Sequence, residues 1–427
     1  MLNLLSENFC YSVSEDTGVT PAEAQADFES ALLEFDAAAD WHRNVRIREL
    51  HFANASDVDA EDFFGGEDAK DETLKYSHLA VKVDGVYYGM RYYTLRPARA
   101  LVGDKASIHR AMVSAGNYTA LANHLNMGLP FFSVKKEALV LVRGNLVSGI
   151  YTEFNGDWEE SRQFASLLDT LQQMFPAASF LWGQIDHMAT KVKFKLDSSV
   201  GSKSFLSHEV KGGSVISAYK DALDRGGLPT DFLENAVPTV RFHTGESGWT
   251  QLSLIPQLEF TVGSSKTSLP LGKVMKVNHR GKDEMVWAKF LDYLDDIAAT
   301  YQAGLRGVAN LYSLKIQHPY SAITHALAKF TSDVPLKIVQ EKVLEWQMFY
   351  PEDADFTCTA FDIYLELSWV VEQAAKDGQS SVVKFITNQE TLARFIAPSF
   401  NWSAIDVETP HKFSFNKKDK DEVSILD

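Results

Sequence analysis

Residues 79–93 read LAVKVDGVYYGMRYY. Two runs rich in Val and Tyr flank Asp84-Gly85. A type I′ turn requires positive φ at both central residues, and Asp-Gly is one of the few pairs that supplies it at little steric cost. The stretch therefore predicts a β-hairpin, and with it an antiparallel sheet. The same grammar returns at 138–151, where ALVLVR, Gly144-Asn145 and LVSGIY follow in order.

Toward the N-terminus, Thr20-Pro21-Ala22-Glu23 marks a helix start. Thr20 can cap, Pro21 suits the first helical position, and Glu23 can bond back to the cap. Phe28, Leu32 and Phe35 recur at i, i+4 and i+7, which predicts a helix with one apolar face running to about Asp40. Residues 53–73 are acidic, contain glycine and read as a loop.

Toward the C-terminus, 106–126 reads as helix with a break near Gly116. Asp157 and Glu160 open a further helix through Phe164, Leu167, Leu168 and Leu171, which Pro176 ends. SFLWGQI (179–185) and ATKVKFKL (189–196) read as strands, and 237–263 as two strands around a turn. Beyond about residue 280 the pattern is helical, over 283–309, 320–330, 335–348, 358–376 and 388–397. Strands first and helices later predict an α+β protein. It should hold a mainly antiparallel sheet with flanking helices, followed by a C-terminal helical part. The expected segments are an acidic N-terminal region 1–75, a sheet domain 76–280, a helical region 281–407 and a charged tail 408–427.

Charge is lopsided. The chain holds 41 Lys or Arg and 57 Asp or Glu. Residues 1–75 hold 5 and 18 of these, which leaves an almost neutral body with 36 and 39. An acidic segment of this kind suits a solvating surface, an arm for a basic partner, or a mimic of nucleic-acid charge. No run reaches the ~18 apolar residues of a membrane helix. The N-terminus lacks the basic start of a signal peptide. A cytoplasmic protein without membrane contact is expected. Cys10 and Cys358 are too few for a disulfide framework.

Catalytic and metal motifs fail on their geometry. VGSSKTS (262–268) has Ser265 where a P-loop needs Gly, and Phe260 where its first Gly belongs. In HTGESGW (243–249), Trp249 stands where a nucleophile elbow around Ser247 needs Gly. The twelve histidines include no HExxH, and Pro319 separates His318 from His325. Asp57, Asp59 and Glu61 open like an EF-hand, yet Asp62 replaces the turn Gly and Asp68 the closing Glu. No catalytic set, metal site or cofactor is assigned, and a non-enzymatic protein is expected. The turn carrying Arg241, His243, Glu246 and Ser247 is the place where an enzyme site could still be assembled.

Lys191, Lys193 and Lys195 alternate with Val192, Phe194 and Leu196. On a strand the lysines share one face and the apolar residues the other. Like charges in a row repel, so such a face gains from a polyanion. Upstream, Arg91, Arg96, Arg99, Lys105 and Arg110 are interleaved with Tyr88, Tyr92 and Tyr93. Binding of single strands needs this mixture: charge for the backbone, rings for the bases. The candidate contacts are Lys191, Lys193, Lys195, Arg96, Arg99, Arg110 and Tyr92. The same lysines also suit a solvated edge strand, where they discourage edge pairing.

Three stretches together resemble the phage/plasmid-like protein family, a domain family of unknown function found in phages and mobile elements. They are EALVLVRGNLVSGIYTEFN (137–155), VPTVRFHTGESGWTQLSLIPQLEF (237–260), and FTCTAFDIYLELSWVV (356–371) with LARFIAPSFNWSAID (392–406). The resemblance spans roughly residues 75–407. It carries no catalytic residues across. It implies a mobile-element protein working in the cytoplasm of a bacterial host cell, and by analogy a part in recombination or strand annealing.

The leading expectation is a phage-type, non-enzymatic protein that binds or anneals single-stranded nucleic acid, as an oligomer. The first alternative is a protein-interaction or DNA-mimic role, in which residues 1–75 dock on a basic host protein. The second is an enzyme of unknown class with a site near residues 241–249.

Overall fold

The computed structural model describes residues 9–14, 16–90, 106–132, 137–151, 160–185, 190–206, 209–210, 213–214, 228–244, 252–262, 265–277, 283–330, 334–350, 357–376 and 382–413. The chain is an α+β protein built on two main sheets.

In chain order the strands are β1 (Phe9–Ser12), β2 (Ala39–Arg46), β3 (His51–Asn54), β4 (Leu79–Val83), β5 (Val86–Met90), β6 (Glu137–Arg143), β7 (Leu146–Tyr151), β8 (Ser179–Ile185) and β9 (Thr190–Lys195). There follow β10 (Glu209–Val210), β11 (Gly213–Ser214), β12 (Val237–Thr244), β13 (Leu252–Val262), β14 (Ser265–Pro270), β15 (Met275–Val277), β16 (Lys315–Ile316) and β17 (Cys358–Thr359). The helices are α1 (Pro21–Ala37), α2 (Gly66–Tyr76), α3 (Ala106–Ser114), α4 (Tyr118–Phe132), α5 (Glu160–Met174), α6 (Lys203–Leu206) and α7 (Thr230–Asn235). The C-terminal part holds α8 (Asp283–Asp295), α9 (Ile297–Ser313), α10 (Pro319–Leu327), α11 (Leu336–Phe349), α12 (Ala360–Lys376) and α13 (Val382–Phe395).

The opening hairpin forms as β4 and β5, with Val83 opposite Val86. Asp84 (φ 49°) and Gly85 (φ 93°) take the positive φ values that a type I′ turn demands. The second hairpin is β6–β7, where Gly144 supplies the positive φ. The two hairpins join through a parallel pairing of β5 with β7. Strands β2 and β3 complete a six-stranded sheet in the order β2-β6-β7-β5-β4-β3. One face packs Val81, Val140 and Ile150 against Leu121, Leu125 and Leu129 of α4. The edge strand β3 is closed by a side chain: the Asn126 amide accepts from the Phe52 N–H and donates to its C=O, both at 2.7 Å. That occupies backbone groups that would otherwise template a further strand.

The larger sheet has seven strands, in the order β1-β8-β9-β12-β13-β14, with β15 also pairing with β13. All of its pairings are antiparallel. Its apolar face carries Val192, Phe194, Val240, Phe242, Leu254 and Leu258, all buried. Phe28 of α1, Phe164 of α5 and Phe290 of α8 pack there, with Phe164 on Phe194 and Phe290 on Phe242. Tyr301 of α9 donates its hydroxyl to the Thr239 carbonyl on the same side. Burying this much aromatic surface is what drives the sheet and helices together.

Several sequence expectations change here. The helix at Pro21 has the expected capping box, but it ends at Ala37 rather than near Asp40, because β2 begins at Ala39. Residues 53–73 are not one loop: they hold short 3-10 turns and most of α2. Strands β1, β2 and β3 lie inside the acidic segment 1–75, so that segment is woven into both sheets. The sheets accordingly divide the chain differently from the segments 1–75 and 76–280. The helical pattern over 283–309 is two helices, α8 and α9.

The stretch 262–268, which departs from a P-loop, runs from the end of β13 into β14, with Val262 opposite Ser265. His318 and His325 serve the C-terminal segment: His318 Nδ1 lies 3.3 Å from Asp406, and His325 Nε2 lies 3.0 Å from the Thr409 carbonyl. Asp57 accepts from Thr119 at 2.8 Å. No helix among the described residues is long and apolar enough to cross a membrane.

Candidate functional site

The second face of the larger sheet is polar, and this follows from strand parity. Register places Trp182 opposite Lys193, and Gln184 opposite Lys191, between β8 and β9. Across to β12 it places Thr239, Arg241 and His243 opposite Lys195, Lys193 and Lys191. Across to β13 it places Gln257, Ile255 and Ser253 opposite those three. Paired residues of an antiparallel sheet project to the same side. One face thus gathers Trp182, Gln184, three lysines, Arg241, His243, Ser253, Gln257 and, where β13 meets β14, Glu259 and Ser268.

Strand β9 is interior, between β8 and β12. Its lysines are therefore not guards of a free edge, and another reason for them is needed. Lys193 forms an ion pair with Glu259 at 2.8 Å and donates to Ser268 at 2.9 Å. Lys266 approaches the other Glu259 oxygen at 3.6 Å. Burial alone would raise the Glu259 carboxyl, but Lys193 and then Lys266 hold it below the ordinary carboxylate range. Lys191 donates to Gln184 at 3.3 Å. Lys195 makes no ion pair among the described residues, and like Lys191 it is half-buried.

Helices α12 and α13 lie over one half of this face. Tyr364 of α12 donates to the Pro270 carbonyl at the end of β14. Glu372 of α12 stands 3.7 Å from the Arg241 guanidinium. Phe385 of α13 packs on that guanidinium at 4.4 Å and stacks on the His243 ring at 5.7 Å. Gln389, one turn on, accepts from Gln257 at 3.0 Å, and Glu390 pairs with Lys276 at 2.8 Å. The other half, toward β8 and β1, reaches solvent: Cys10 and Ser12 are exposed and Trp182 is half-buried. The Trp182 indole N–H points to Cys10 Sγ at 3.0 Å, and its ring packs 5.1 Å from Arg241.

Burial pushes the His243 imidazole well below its ordinary value, and Arg241 and Lys191 push it further. Burial also lowers the Arg241 guanidinium, against the pull of Glu372. Arginine remains protonated through any such change. His243 is thus a neutral ring in a positive field.

The sequence-derived residues fall in three groups. The structure brings Lys191, Lys193, Lys195, Arg241 and His243 onto one face. Tyr92, Arg96, Arg99, Glu246 and Ser247 lie outside the described residues. Arg110 sits in α3, and its side chain lies outside them too. Sequence reasoning misses Trp182, Glu259, Glu372 and Phe385. A signal for Trp182 exists, since SFLWGQI has the pattern of a strand beside the lysine-bearing one. Glu259 reaches the face through the register of β13, and Glu372 and Phe385 are joined to it only by long-range packing. Among the described residues no group of three or more His, Cys, Asp or Glu is arranged to hold a metal ion. Comparison with protein-family models, characterised proteins and solved structures finds no match to this chain.

Proposed function

We propose that this protein binds single-stranded nucleic acid, without covalent chemistry, across the solvent-reaching half of the polar sheet face. One observation carries the reading. Lys191, Lys193 and Lys195 stand in a row on an interior strand, beside the half-buried ring of Trp182. Three ammonium groups along one strand suit the spacing of a phosphate backbone, and an adjacent ring offers a base a surface to stack on. An interior strand has no edge to defend, so protection against edge pairing does not account for the row. Lys193 already holds Glu259 and Lys191 donates to Gln184, so Lys195 is the main contact in this reading, with Lys191 beside it. Oligomerisation and a mobile-element setting belong to the same proposal.

The test is fluorescence-polarisation binding of labelled single-stranded and duplex DNA to the full chain. Single strands should bind more tightly than duplex. Trp182→Ala should weaken single-strand binding by about 1–3 kcal/mol, the range for one stacked base. Equal affinity for duplex, together with an unchanged affinity of the Trp182 variant, would sink the reading.

A further inference from the structure

The covered half of the polar face has a feature that the polymer reading does not use. His243, Ser253, Gln257, Asn388 and Gln389 are 1%, 0%, 0%, 2% and 0% exposed. Each nonetheless has a polar side-chain atom without a hydrogen-bond partner: both His243 nitrogens, Ser253 Oγ, Gln257 Oε1, Asn388 Nδ2 and Gln389 Nε2. Arg241 Nε shares that condition. Buried polar atoms in native proteins are almost always paired, because an unmet group costs its full desolvation. Seven such atoms gather in one interface.

They do belong to one interface. His243 and Ser253 are directly opposite across β12 and β13. Ser253 is in turn opposite Lys276 of β15. Phe385, Asn388 and Gln389 fall at i, i+3 and i+4 on α13, which is one helix face. That face meets the sheet through the His243–Phe385 and Gln257–Gln389 contacts. The polar atoms therefore line the seam between β12–β13 and α13.

The chemistry of the seam selects its occupant. Arg241 Nε, Ser253 Oγ, Asn388 Nδ2, Gln389 Nε2 and one His243 nitrogen can donate, whereas Gln257 Oε1 and the other His243 nitrogen accept. Donors outnumber acceptors. The nearby carboxylates are each engaged by a cation: Glu259 by Lys193, Glu372 by Arg241 and Glu390 by Lys276. Lys191 adds a further positive charge beside His243. We propose that the seam between β12–β13 and α13 is a binding site for a small oxoanion of the phosphate or carboxylate class, held by Arg241, His243, Ser253 and Asn388. This goes beyond the polymer reading and does not depend on it.

The test uses the full chain and inorganic phosphate as the probe. Thermal unfolding is followed with phosphate and with chloride at matched ionic strength. A ligand that binds only the folded state raises the melting temperature with its concentration. The expected result is a phosphate-specific rise. In Ser253→Ala and in His243→Asn the affinity drawn from that rise should fall roughly tenfold or more, the effect of losing a hydrogen bond to a charged ligand. Lys337→Gln, at an exposed position of α11 away from the seam, should keep the wild-type response. No phosphate-specific rise in the wild type would overturn the assignment. So would a rise of equal size in the Ser253 variant, a change small enough to leave the fold intact. Adding a short single-stranded oligonucleotide then names the source: competition marks a backbone phosphate, and additivity marks a free anion.

Discussion

Gly183 shows how much of this fold is decided by single positions. A Cβ at that residue would stand 2.6 Å from the Phe28 ring, which is itself wedged against Phe164 and Phe180. Gly183→Ala should cost about 1–3 kcal/mol in chemical denaturation, since a packed aromatic cluster cannot give way freely. Unchanged stability would contradict the close approach of α1 to β8. His243 makes a second prediction, in pH. Its folded value is depressed, and an unfolded histidine titrates near 6.5, so the unfolded chain takes up a proton that the fold refuses. The contribution is complete above about pH 6.5 and is lost as pH falls below it, by up to about 1.4 kcal/mol per pH unit. Arg241 and Lys191 oppose protonation, and Glu372 is the carboxylate that faces Arg241. His243→Gln should flatten this part of the stability profile; an identical slope in the variant would contradict the buried, neutral ring. The sharing of one face by the three lysines is legible from alternation alone. The reason for Gly183 is not, because its partner Phe28 is distant in the chain.

At the level of elements, α11 and α12 are joined by a charge that is almost fully buried. Lys342 Nζ lies 2.6 Å from Glu366 and 2.7 Å from Glu345, with the Trp369 ring at 4.1 Å. Lys342→Ala should destabilise by about 3–5 kcal/mol, because Glu366 then loses its main partner. The pair Lys342→Met with Glu366→Gln should recover most of that loss in the same unfolding assay. A single variant no worse than the double would show that the ion pair does not join the helices. Elements with strong local signals are legible in the sequence: the Asp84-Gly85 hairpin, the capped α1, and the break near Gly116 that separates α3 from α4. Strand β2 is not. Its sequence, ADWHRNVR, has no apolar alternation, and Asn44 (φ 60°) marks an irregularity where its register with β6 shifts. Such a strand is fixed by its partner rather than by its own propensity. Strands β14 and β15 escape for the related reason that they are short and borrow their order from β13.

On the scale of the whole molecule, the acidic N-terminal segment is structural. It supplies β1 to the larger sheet, β2 and β3 to the smaller one, and α1 to the shared core. Asp36 at the end of α1 accepts from the backbone N–H of Glu160 and Ser161, at 3.0 and 2.8 Å, and so caps α5. Removing residues 1–75 should therefore abolish the cooperative unfolding transition seen by calorimetry. A truncated chain that melts like the parent would contradict the place of β1, β2 and β3 in the two sheets. Composition exposes the charge imbalance but not its placement, because sequence distance says nothing of sheet order. For the candidate site the same limit holds: the lysine row is legible, whereas its cover of Glu372, Phe385 and Gln389 is not. Contact between this row and a polyanion is tested most directly by the salt dependence of single-strand binding, in the parent and in Lys191→Gln/Lys195→Gln. Each phosphate neutralised on a single strand contributes about −0.7 to the slope of log affinity against log salt. The double variant should bind more weakly and with a slope shallower by about 1.4. The same slope in both proteins would contradict the proposed contact, because the groups that release counterions would then lie elsewhere.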